Sequence, residues 1–141
     1  NLAVDERATA FGVVKSHTTL YGSAEQVESV LSLKAEERSP AFLVGHRPRR
    51  AVASWYLRLR ATAGGDPLHG LVRVEISPPM DMLDPDQITD DARARLTAHC
   101  DRLSAGILAE RAPLSLPDPR WDTLTYGIHA CEMYLDALVG L

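Results

Sequence analysis

Cysteine is scarce in this chain of 141 residues. Its two thiols, Cys100 and Cys131, fall in stretches that read as helices and have no CxxC spacing. That argues against a disulfide framework and against a zinc module, and it leaves buried free thiols. Long apolar runs are missing as well: no stretch approaches the roughly 20 residues of a spanning helix, and the opening Asn1-Leu-Ala-Val-Asp-Glu-Arg7 has no signal-peptide hydrophobic region. A cytoplasmic protein without a membrane partner is the expectation. Self-sufficient catalytic motifs are also lacking. The chain has no GxSxG, no Walker A loop, no HExxH and no GxGxxG after a strand, and it has neither internal repeats nor low-complexity tracts.

Positive charge is in short supply too. The formal net charge is -4, split as +2 over residues 1–75 and -6 over residues 76–141. Nonspecific affinity for nucleic acid comes mostly from neutralising phosphates with Lys and Arg, so a general DNA-coating role is excluded and any nucleic-acid contact must be local. The composition, 45% hydrophobic and 24% charged, suits one domain segment, residues 1–141, with a modest core.

The periodicities predict an order of strand, helix, three strands and two helices. Residues 8–15 form a short apolar run expected to be a buried strand, and Ser23 with Gln26 three residues on caps a helix that ends near Lys34. Residues 41–44 make a second strand. A third alternates Ala51, Ala53, Trp55, Leu57 and Leu59 with Ser54, Tyr56, Arg58 and Arg60, which predicts a half-buried strand with its polar set facing outward. After the Gly64-Gly65-Asp66-Pro67 loop, Val72, Val74 and Ile76 alternate with Leu71, Arg73 and Glu75, so an antiparallel hairpin is expected, ended by Pro78-Pro79. Five aspartates between Asp81 and Asp91 precede a long helix capped by Thr89, where capping and solubility account for them. Ala92, Leu96, His99, Leu103 and Ile107 are its expected buried face, with His99 a core histidine. A last helix over residues 126–139 turns Ile128, Cys131, Leu135 and Leu138 inward. The fold class expected from this order is α/β, a mixed sheet containing an antiparallel hairpin and covered by helices.

Three groups of residues could carry chemistry. Tyr56, Arg58, Arg60, Arg73 and Glu75 share the outward face of the hairpin, where arginine planes and a tyrosine ring hold phosphates or stack a base; a solvated face with Arg73 and Glu75 paired across strands fits as well. On the last helix His129, Glu132 and Asp136 are spaced i, i+3, i+7 beside Tyr126, a set able to bind a divalent metal or shuttle a proton, and equally the polar side of an amphipathic helix. Lys15-Ser16-His17 closes the first strand, either as a loop that holds a phosphate on Lys15 or as a plain strand end.

Taken in succession, Gly12-Val-Val-Lys-Ser-His17, Arg38-Ser-Pro-Ala-Phe42, Ser54-Trp-Tyr-Leu-Arg-Leu59 and Gly70-Leu-Val-Arg-Val-Glu75 resemble the NurA nuclease-domain family, over roughly residues 9–76. The resemblance implies an RNase H-like core, seen here as its C-terminal part. It also implies manganese- or magnesium-dependent degradation of DNA ends (5'-3' exonuclease and endonuclease), a homodimer, and a HerA-like hexameric ATPase partner. Two acidic metal ligands are then expected N-terminally, one of them just before Asn1. The family's C-terminal Tyr and His correspond to Tyr126 and His129, although the Tyr-Pro that opens that motif is Tyr126-Gly127 here. On this resemblance Tyr126, His129 and Lys15 are catalytic, His129 and Glu132 hold metal, and Tyr56, Arg58, Arg60, Arg73 and His17 contact DNA. A second expectation is a non-catalytic module that docks on an ATPase ring or another protein partner.

Overall fold

Adjacent side chains of a strand point to opposite faces, and the two alternating stretches over residues 51–76 use that geometry to build the centre of a sheet. In a computed structural model, which describes residues 11–14, 19–45, 52–62, 64–78 and 88–110, they form β3 (Val52–Arg58) and β4 (Leu71–Ile76). These pair antiparallel, with Trp55 opposite Val74 and Tyr56 opposite Arg73. β1 (Phe11–Val14) lies along the far side of β4 and β2 (Phe42–Val44) along the far side of β3, so the order is β1-β4-β3-β2.

Every pair among the described strands is antiparallel, which corrects the expected mixed sheet. Sequentially adjacent β3 and β4 close through a loop that ends on Gly70, at φ +68°. A Cβ there would stand 3.0 Å from the carbonyl oxygen of Arg60, so the close return of the chain requires glycine.

α2 (Asp90–Ala109) covers one face of the sheet. Thr89 Oγ1 accepts from the Ala92 N–H, the cap that the sequence predicts. Ala92, Leu96, Cys100 and Ile107 of α2 pack on Ala53, Trp55, Leu57, Leu59, Val72, Val74 and Ile76 to form the main apolar core. The buried stripe runs one residue away from the expected one in its middle: Cys100 and Ser104 are buried, whereas His99 and Leu103 are half-buried. His99 is therefore not a core histidine; its Nδ1 lies 3.4 Å from Arg102 Nη2 at the surface. The shift places Ser104 Oγ where it accepts from the Trp55 indole N–H at 3.0 Å, which satisfies the one polar atom of a fully buried side chain.

α1 (Ala24–Leu31) sits on the opposite face. Its start follows the sequence: Ser23 Oγ accepts from the Gln26 N–H while Gln26 Oε1 accepts from the Ser23 N–H. Val30 packs on Tyr56 and Leu71, with Leu20, Leu33, Phe42 and Leu68 around them.

Two expectations change in consequence. β3 is buried on both faces rather than half-buried, because α1 and its flanks cover the side expected to face outward. Among the described strands β1 lies at the edge of the sheet with Phe11 exposed, so it is not a buried one. Between α1 and β2 the chain also runs beside β3: Ser39 N–H donates to the Tyr56 carbonyl and Tyr56 N–H to Ser39 Oγ, both at 2.9 Å. The expected helix over residues 126–139, with Cys131, lies outside the described residues.

Candidate functional site

On the α1 face the hairpin presents Ser54, Tyr56 and Arg58 from β3 beside Glu75, Arg73 and Leu71 from β4. This is the group expected to meet DNA, and the structure corrects two of its members first. Tyr56 and Arg58 have no exposed surface. The Arg58 guanidinium donates to four carbonyls: Nε to Leu33 at 3.1 Å, Nη2 to Leu31 at 3.0 Å, and Nη1 to Pro67 at 2.8 Å and His69 at 2.7 Å. Leu31 and Leu33 belong to the C-terminal end of α1, whose last turn has no basic residue of its own, so the sheet supplies the cation that the helix end lacks. Burial lowers the Arg58 pKa from its ordinary value, and Asp66 offsets part of that shift. Its chemistry is spent on holding α1 and the 59–70 loop.

Tyr56 is consumed in the same way: its ring stacks on Phe42, centroids 5.7 Å apart, and its Oη accepts from the Tyr21 N–H at 2.9 Å. Arg60, at the end of the hairpin, is 9% exposed, and its Nε and Nη2 have no hydrogen-bond partner. The physical reason for all three corrections is the same. Alternation says that a polar set faces away from an apolar one, and it does not say whether that second face meets water or another layer.

Arg73 is the member that reaches the surface region. Its Nη2 pairs with Glu75 Oε1 at 2.7 Å, the ion pair that was the alternative reading, although along one strand instead of across two. Its guanidinium carbon lies 4.7 Å from the centre of the Tyr21 ring, and its Nε is buried without a partner. Tyr21 is a residue that the sequence did not single out. It is 44% exposed, and it is held at its backbone by Tyr56 and followed by Gly22 at φ +135°, where a Cβ would meet Gln26 at 3.0 Å. The Tyr-Gly pair before an N-cap marks a turn, but only the sheet register brings that turn over Arg73.

Two grooves flank β2. The one on the α1 side, about 670 Å³, is lined by Tyr21, Gln26, Ser29, Phe42, Val44 and Tyr56 among others. The one on the α2 side, about 970 Å³, includes Leu43, Ile88, Leu96, Arg93 and the Arg38–Asp101 ion pair at 2.7 Å. No strand pairs with the outer edge of β2 among the described residues.

The expected catalytic and metal-binding residues Lys15, Tyr126, His129 and Glu132, along with His17 and Asp136, lie outside the described residues. Among those described, no three His, Cys, Asp or Glu side chains come together in a way that could hold a metal. No described helix is long and apolar enough to cross a membrane. No family model matches the chain, and no curated protein matches it.

Proposed function

We propose that the chain is the C-terminal part of a NurA-type, RNase H-like nuclease domain that processes DNA ends in double-strand-break repair with manganese or magnesium. One observation carries the reading. The stretches that resemble the family, in chain order, are the strands of one sheet: Gly12-Val-Val belongs to β1, Arg38–Phe42 runs beside β3 into β2, Ser54–Leu59 spans β3, and Gly70–Glu75 spans β4. Residues that stand apart in the sequence thereby share one structural unit, which is what a resemblance of domain type requires.

In this reading Tyr126, His129 and Lys15 serve at the reaction centre, with His129 and Glu132 contributing ligands and a preceding stretch of chain the main carboxylates. This reading takes no metal ligand from the described residues, among which no three such side chains come together. A divalent ion, when bound, polarises a phosphate oxygen and lowers the pKa of the attacking water. Of the DNA contacts, Arg73 and His17 stay in the reading, while Tyr56, Arg58 and Arg60 leave it because they are buried. A second copy of the chain and a HerA-like ATPase complete the assembly, in the cytoplasm.

The test is manganese-dependent degradation of linear DNA by the chain extended N-terminally to include an Asp before Asn1, with Tyr126→Phe and His129→Ala variants. Activity that both substitutions abolish, with unchanged unfolding midpoints, is the expected result. An inert but folded extended chain sinks the reading and leaves a protein-docking module. That no described strand pairs with the outer edge of β2, and that a groove lies on each of its faces, favours that alternative, since an added strand alternates its side chains between two such grooves.

A further inference from the structure

We propose that Tyr21, stacked on Arg73 beside the groove between α1 and β2, is a platform on which one base of single-stranded DNA stacks. The ligand class rests on the nuclease reading; the platform itself rests on geometry. An aromatic side chain serves for stacking when it is exposed, fixed before the ligand arrives, and beside a space of the right size. Tyr21 has all three properties.

Tyr21 is 44% exposed, the same as Phe11, the other large apolar residue exposed among the described residues. Its position is fixed from both sides. Tyr56 Oη accepts its N–H from within the sheet, and the α1 capping box begins two residues later. Arg73 supports the ring at 4.7 Å and is itself clamped by Glu75 at 2.7 Å. The adjoining groove, about 670 Å³, falls within the range of small-ligand pockets, and Gln26 and Ser29 give it a polar rim while Phe42 and Tyr56 give it an apolar lining.

The cation on one side of Tyr21 chooses between a base and a proline-rich peptide. An arginine against a ring draws on the negative charge of its π face. The opposite face is then poorer for the C–H groups of proline and better for the electron-rich face of a nucleobase. Because Arg73 is paired with Glu75 and no Lys or Arg lines the groove, binding draws on stacking more than on phosphate charge. Its salt dependence should be shallow, near the slope of about 0.7 that a single phosphate contact gives on a single strand.

The probe is a fluorescein-labelled oligothymidylate titrated with this chain in EDTA, read by anisotropy. Binding is expected, weakened roughly tenfold or more by Tyr21→Ala and Tyr21→Leu and kept by Tyr21→Phe, as loss of one stacked base implies. Tyr21→Leu retains an apolar body over Arg73, so the pair separates stacking from packing, and equal urea midpoints show that both variants fold. The proposal is overturned by absence of binding, by affinity indifferent to Tyr21, by a steep salt slope, or by an oligoproline peptide binding in place of the DNA. The assay holds no metal, so it is independent of cleavage. Cleavage by the extended chain with indifference to Tyr21 removes the platform alone, whereas Tyr21-dependent binding with no cleavage removes the nuclease reading alone.

Discussion

The two faces of the sheet are held by different physics. Against α2 the contact is an apolar interdigitation of Trp55, Leu57, Val72 and Val74 with Leu96, Cys100 and Ile107, with one polar atom to satisfy. Against α1 the apolar patch is small, and a single buried guanidinium ties four carbonyls of the helix end and the hairpin loop together. Apolar packing is non-directional and forgiving of shape, whereas a hydrogen-bonded cation is worth having only when every partner is in place. One face should therefore tolerate conservative change and the other should not.

The largest expected effect is on the α1 face. Arg58→Met leaves several buried carbonyls without a donor, each costing about 1–3 kcal/mol and not additively, so a loss of about 3–5 kcal/mol in urea unfolding is expected. A smaller loss means that water replaces the guanidinium and that the contrast between faces is overdrawn. The sharper comparison uses two neighbours. Leu57→Met should cost less than about 1.5 kcal/mol, as volume-conserving core changes do. Arg58→Lys keeps the charge but loses the fork that reaches four carbonyls, and it should cost more than Leu57→Met does.

Within the apolar face, Ser104→Ala strands the Trp55 N–H and should cost about 1–2 kcal/mol, visible as a lower thermal midpoint and a shifted Trp emission. The smallest effect concerns Cys100, whose thiol pKa burial raises while Arg38 opposes the shift. A proton held more tightly in the folded state contributes stability that is complete below the unfolded pKa and is lost as pH rises from there toward the folded value. The thermal midpoint should thus fall above about pH 9, the region of an ordinary thiol. Cys100→Ala should reduce that fall; an unchanged profile would place the loss in other groups.

Much of the fold was legible. Period-two alternation gave β3 and β4 and their antiparallel pairing, the Ser23–Gln26 spacing gave the start of α1, and Thr89 gave the start of α2. Each is a local rule in which neighbouring residues settle the outcome. The site was less legible for the same reason. The polar alternation of Tyr56, Arg58 and Arg60 is the pattern of a wet face, and nothing local reports that α1 lies on top of it. His99 and Cys100 are adjacent on α2, and which of them turns inward depends on how the helix rolls against Trp55 and its neighbours. Tyr21 gave no signal because its partner, Arg73, is remote in the sequence and meets it only through the sheet and the turn before α1.

By itself, then, the sequence determined the described elements and their order, because period, caps and turn residues act over a few positions at a time. The tertiary structure alone decided which polar residues remain available. An arginine on a strand is a ligand site in water and a structural tie under a helix, and only the packing of α1 separates Arg58, which is spent, from Tyr21, which is presented.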